Sequence, residues 1–291
     1  MLQYSTVGYI YGAIAMLLSM GAHVFADALI KGIMLDHGLF SSIAIRYFFR
    51  ALPYTIILIA QLMRNQYTPV QNKPFMGLRV LIGFGMAYSF STAIYFMPPG
   101  SITLIRSIAQ IAPILAIILA VTILKEQVSK KIIIAIAIAL MGLSFIIRFN
   151  VAYTAIGMLF CLLGVLFVAL NKVVIRKISS TETWLNIALC HNLFIFGTSF
   201  TIAMRDIDFS IFLNQKMTLY FLFVGIVDAF AQFASIYALK HTTVTRLAPL
   251  DYSALVWSIL FDYTLWGKVH DHYTLIGVVI IAFSSLLCIK K

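Results

Sequence analysis

The chain has 291 residues, 62% of them hydrophobic and 11% charged, with 21 Lys and Arg against 10 Asp and Glu for a formal net charge of +11. A mean hydropathy of +0.99 excludes a water-soluble globular domain and suits a chain dissolved in lipid, where about 20 apolar residues make one crossing. Most basic residues fall between apolar runs, so the positive charge speaks for loops held against anionic lipid and against nucleic acid as a partner.

The opening MLQYSTVGYIYGAIAML has no basic leader and no small-residue cleavage site, so it reads as the start of a permanent helix over 8–31. On that helix His23, Asp27 and Lys31 repeat every four residues along one face. Asp27 has two readings, a pair with Lys31 one turn away or a gate with Arg46 or Arg50 of the next helix. The second helix, 39–63, puts Arg46 and Arg50 on one face, as cations for a substrate carboxylate or phosphate or as snorkelling and backbone-bonding side chains. A third helix spans 77–97 and includes Tyr88 and Tyr95. Pro98, Pro99 and Gly100 then form a tight outer turn before a helix over 101–124, where Arg106 and Gln110 share a face a turn ahead of Pro113. A fifth helix over 131–147 closes the first half.

The second half repeats the count, with helices at 155–176, 183–204, 217–239, 243–266 and 272–289. Asp228 lies central in its span with no basic partner on its own helix, on a stripe with Gln232 and Ser235. It is either a functional carboxylate or an ion-pair partner of Arg106. In the ninth span Asp251, Ser258 and Asp262 share a face, with Tyr252 and Trp257 beside it, and Tyr237 precedes them. Pro53, Pro113 and Pro249 fall inside predicted helices, where each removes a backbone donor. The fold class expected is therefore all-α and polytopic, with ten transmembrane helices.

Basic residues decide the orientation. With the N-terminus in the cytoplasm, Arg64, Lys73, Lys125, Lys130, Lys131, Arg176, Lys177, Lys240, Lys290 and Lys291 lie inside, against five basic residues outside, so both termini are expected in the cytoplasm of a bacterial inner membrane. Cys161, Cys190 and Cys288 lack ligand spacing and read as small core residues. His270, Asp271 and His272 read as a solvated turn. No P-loop, HExxH, dinucleotide fingerprint or nucleophile elbow is present, so no catalytic residue, cofactor or metal is expected.

The chain also repeats itself. STAIYFMPPGSITLIRS from Ser91 aligns with FASIYALKHTTVTRLAP from Phe233, and TILKE from Thr122 aligns with TLWGK from Thr264 on the same register. A slightly different shift pairs Lys31 with Arg176 and Arg46 with His191. Residues 1–150 and 151–291 then form two five-helix repeats, and because five is odd the second enters the membrane from the opposite side. An inverted repeat of this kind places a shared site near the midplane between the halves and supports alternating access.

On ADALIK with IAIRYFFR, GFGMAYSFSTAIYF, the LKE at Leu124–Glu126, and APLDYSALVWSILFDYTLWGK leading to TLIGVVII, the chain resembles the drug/metabolite transporter superfamily, in its ten-helix EamA-type members. Its ninth span and the ADALIK…IRYFFR pattern are similar to the S-adenosylmethionine transporters of intracellular bacteria, from which it departs at Asp251, Ala254 and Lys268. The resemblance implies a secondary transporter for a small polar, zwitterionic or cationic metabolite such as S-adenosylmethionine, an amino acid or a nucleoside. In such a site Arg addresses a carboxylate, Asp an ammonium, and aromatic rings the rest. The alternative is an intramembrane enzyme or lipid-modifying factor using the same aspartates and arginines. Partners expected are the small molecule and the bilayer, with homo-oligomerisation left open.

Overall fold

The computed structural model describes residues 6–96, 108–146, 154–204, 214–267 and 271–289. Through them run α1 (Thr6–His37), α2 (Leu39–Met63), α3 (Lys73–Phe96), α4 (Ala112–Leu124), α5 (Lys130–Ile146), α6 (Ala155–Ile178), α7 (Trp184–Ala203), α8 (Gln215–His241), α9 (Val244–Asp251), α10 (Ser253–Trp266) and α11 (His272–Ile289). Helices α9 and α10 are two parts of one span, so the helices make ten crossings. No strand occurs among the described residues.

Sequence accounts for most helix ends. No proline interrupts α1, which continues to His37 until Gly38, at φ 75°, turns the chain into α2 after a single residue. Two expectations need correction. Pro113 lies in the first turn of α4, after a turn at Gln110 and Ile111, where its missing N–H leaves no bond unmade. Pro249 stands inside a helix as expected and gives Thr245 no donor; what changes is the single helix expected over 243–266, which breaks at Tyr252 and restarts at Ser253. The Pro98-Pro99-Gly100 turn lies outside the described residues.

The two halves pack as an inverted pair. Helix α3 lies along α6 as α8 lies along α1; α2 crosses α7, α5 crosses α11, and α4 lies against α6 as α9 and α10 lie against α1. Contacts in one half thus have counterparts in the other, related by an axis in the membrane plane. Small residues permit the closest crossings. A Cβ on Gly142 would stand 2.8 Å from the Gly277 carbonyl oxygen, between α5 and α11, and one on Gly225 would stand 2.6 Å from the Phe49 backbone, between α8 and α2.

Polarity is distributed as lipid demands. Large apolar side chains such as Ile56, Ile59, Met63, Ile133, Leu159, Val279 and Phe283 face outward, while Arg50, Arg79, Lys172, His191, Asn192, Asp228, Gln232 and Asp251 are buried. Charge in a bilayer is tolerated where it faces the bundle interior and finds a partner or a cavity. That interior is the seam between the halves.

Candidate functional site

Asp228 is the hub. It sits midway along α8 with no exposed surface. Its Oδ1 lies 3.1 Å from His23 Nδ1 on α1, and its Oδ2 accepts from Arg46 Nε at 2.9 Å and faces Arg50 Nη1 at 3.4 Å. The four-residue spacing of the two arginines puts both on the α2 face that meets α8. Arg46 reaches in the other direction to Asp27, Nη2 to Oδ1 at 2.7 Å, on the more open side of α1. One buried carboxylate therefore ties α8 of the second half to α1 and α2 of the first.

A second polar group adjoins the first through Tyr47. The Arg50 guanidinium lies over the Tyr47 ring at 5.2 Å, and Tyr47 meets the His191 ring nearly edge-on at 5.7 Å. His191 Nδ1 is 3.3 Å from Arg79 Nη1. Next to His191 on α7, Asn192 donates to Gln232 Oε1 of α8 at 2.8 Å. Gly83, one turn beyond Arg79, makes room, since a Cβ there would collide with both His191 and Arg79.

At the bundle end that carries residues 64–72, 125–129, 179–183 and 242–243, two carboxylates clamp the halves together. Glu182 Oε1 accepts from the backbone N–H groups of Gln71 at 2.9 Å and Asn72 at 2.6 Å, just ahead of α3. Glu126 accepts from Val244 N at 3.2 Å and Thr245 N at 3.0 Å in the first turn of α9. Each carboxylate belongs to one half and caps a helix of the other, satisfying otherwise orphaned donors at a positive dipole end. Lys125, at φ 56°, makes the left-handed turn from which Glu126 extends. Arg176 completes the end by donating to the carbonyls of Leu239 and Lys240, at 2.9 and 3.1 Å.

Ten spans, two halves and buried charge on the seam between them fit a carrier, and comparison with known proteins agrees. The EamA-like transporter family matches the chain twice, over residues 10–148 and 155–290. The chain belongs to the EamA-like transporter family. Two proteins of Helicobacter pylori, from strains J99 and 26695 and each described as an uncharacterized transporter, are 25% identical to it over 258 and 257 residues, covering 82% of this chain and 83% of theirs. A protein crystal structure superposes with a TM-score of 0.74 over 94% of this chain and 95% of that one at 17% identity, which speaks for the fold alone.

Within this EamA-like chain the structure brings Asp27, Arg46, Arg50 and Asp228 into one cluster, with Gln232 one turn along α8 from Asp228. It gives Asp228 partners from α1 and α2. Arg106 lies outside the described residues, as do the side chains of Lys31 and Asp262. Asp251 forms a buried ion pair with Lys172 of α6, and Tyr252 is fully buried beside it. Gln110 is buried in the turn before α4. Trp257 packs its indole on α1, 2.9 Å from where a Cβ on Gly21 would be, and stacks on Phe261.

The repeat makes Tyr95 and Tyr237 equivalents, and pseudo-symmetry alone predicts that they face one central cavity with Asp228; the structure separates them. Tyr95 is 49% exposed near the far end of α3, and Tyr237 packs on His241 at the clamped end of α8. An axis in the membrane plane carries equivalent residues to opposite faces, and this separates the tyrosines. Sequence reasoning missed Arg79, His191, Lys172, Glu126 and Glu182. The available signal was the pairing of His191 with Arg46 across the repeat.

Proposed function

We propose that this chain is a secondary carrier that moves a small polar metabolite, zwitterionic or cationic, across the bacterial inner membrane by alternating access and releases it unaltered. The observation that carries the reading is the placement of buried charge. The Asp228 ion cluster joins α8 of one half to α1 and α2 of the other, so any rocking of the halves must remake it, and a substrate with its own charges can take part in the exchange. The Glu126 and Glu182 caps support the same reading, because they hold one end of the seam shut while leaving it dependent on a few hydrogen bonds. The basic residues at that end support placing it, and both termini, in the cytoplasm, with the halves dividing near residue 150. S-adenosylmethionine, amino acids and nucleosides are the substrate candidates.

Purified protein in liposomes, loaded or not with unlabelled compound, should accumulate one of these labelled candidates chemically intact. Accumulation should be faster when the same compound is inside. A chemically altered product, or no uptake of any candidate beyond protein-free liposomes, would refute the carrier reading.

A further inference from the structure

The pseudo-symmetry of the seam is broken at one point. The register that pairs Ser91 with Phe233 also pairs Gly83 with Gly225 and Met86 with Asp228, and the register of the preceding spans pairs His191 with Arg46. The contact of Arg46 with Asp228, between α2 and α8, therefore has the α7–α3 contact as its counterpart, where His191 meets Arg79, the register equivalent of Phe221, and not an equivalent of Asp228. The counterpart lacks the carboxylate. Met86 occupies the place of Asp228, approached from α6 by Asn171 Nδ2 at 3.8 Å as Asp228 is approached from α1 by His23.

What remains is a surplus of positive charge and of donors. Arg79 is 1% exposed, and among the described residues no carboxylate lies within 4 Å of it, against two aspartates shared by Arg46 and Arg50. Arginine only donates, so His191 Nδ1 accepts from it and the ring proton sits on Nε2. Arg79 Nε, His191 Nε2 and Arg50 Nε are all buried without an acceptor among the described residues. Buried donors and an unpaired guanidinium are costly, and their co-occurrence on one seam specifies what is missing: an anion with two acceptor oxygens.

We propose that Arg79, with His191, seats a carboxylate of the transported metabolite at the α3–α7 contact, whose counterpart in the other half of the repeat carries an aspartate of its own. This rests on the carrier reading above. Asp228 already holds Arg46 and Arg50, so among the described residues the buried guanidinium left for the substrate's anionic group is that of Arg79. The planar guanidinium fork of Arg79 suits a carboxylate in a way that an ammonium does not. Gly83 is the backbone feature that lets the fork and the imidazole come together.

The test uses matched compounds that differ only in the carboxylate: L-methionine with 3-(methylthio)propylamine, and S-adenosylmethionine with its decarboxylated form. Thermal melting is measured on wild type, Arg79→Met and Arg79→Lys, with and without each compound, followed by uptake into liposomes. Without compound, Arg79→Met should melt at or above wild type, because a buried unpaired charge is gone. At least one carboxylate-bearing compound should stabilise wild type, with an apparent affinity about tenfold or more weaker in either variant, while its decarboxylated partner stabilises weakly and is indifferent to the substitution. An Arg79→Met protein that melts well below wild type, retained stabilisation in that variant, equal stabilisation by a compound and its decarboxylated partner, or no stabilisation of wild type by any compound overturns the proposal. Equal uptake of parent and decarboxylated compounds would remove the carboxylate seat and leave the carrier. Carboxylate-dependent stabilisation lost in Arg79→Met, without any translocation, would keep the seat and remove the carrier.

Discussion

Replacing Asp228 with Asn changes one atom and removes the negative charge that His23, Arg46 and Arg50 share. Arg46 keeps Asp27 at 2.7 Å, so the charge most exposed to loss is that of Arg50, buried with its Nη1 3.4 Å from the lost oxygen. Removing one partner of a buried ion pair costs about 3–5 kcal/mol, chiefly by stranding the other charge. At roughly 2–4 °C per kcal/mol for a chain somewhat smaller than this one, the melting temperature should fall by roughly 6–20 °C. Melting in detergent would measure this, together with Arg50→Met and the double variant. The double variant should lose less than the two single losses combined, since it no longer leaves Arg50 buried without its carboxylate. An Asp228→Asn protein within about 0.5 kcal/mol of wild type, the range of an ordinary surface change, would refute the hub.

Arg50→Ala should abolish uptake while the protein still inserts and folds, and Arg50→Lys should recover little of it, because an ammonium lacks the fork that meets two oxygens; wild-type uptake by the alanine variant would rule this out. Gly225→Ala should destabilise by about 1–3 kcal/mol, since its Cβ would stand 2.6 Å from the Phe49 backbone and helix α2 must shift. Gly197→Ala meets nothing within 4 Å and should be neutral or stabilising by up to about 1 kcal/mol, so equal losses at the two glycines would contradict the crossing geometry. Glu182→Gln should weaken the cap on α3 by about 1 kcal/mol and speed thiol labelling of a cysteine at Asn72; unchanged labelling would remove Glu182 from the clamp.

The sequence made the spans legible because lipid leaves few alternatives. Leu39–Met63 and His272–Ile289 appear as expected, the first bounded by Gly38 and Arg64. Proline was harder to place, because the same residue tolerates a first turn at Pro113 and disrupts a span at Pro249, and only packing distinguishes the two. In the site, Arg46, Arg50 and Asp228 stood out as charges deep in apolar runs. Arg79 did not, because α3 was expected to begin at 77 and an arginine two residues inside reads as interfacial, whereas the helix begins at Lys73 and carries it into the seam. Glu126 and Glu182 lie in short loops, and nothing local shows that each caps a helix more than 100 residues away. Tyr95 and Tyr237 show the converse: their equivalence was legible, but the orientation of the axis separates them.

The claim that the halves rock about the Asp228 cluster is tested most directly at the clamped end. Cysteines at Gln71 and Thr181, both exposed beside the Glu182 cap, can be joined by a short reducible bis-thiosulfonate crosslinker in protein lacking its native cysteines. Crosslinked protein in liposomes should lose uptake and regain it on reduction, because the clamp must open once in every cycle. Uptake that continues at the uncrosslinked rate with the two halves joined would contradict alternating access across this seam.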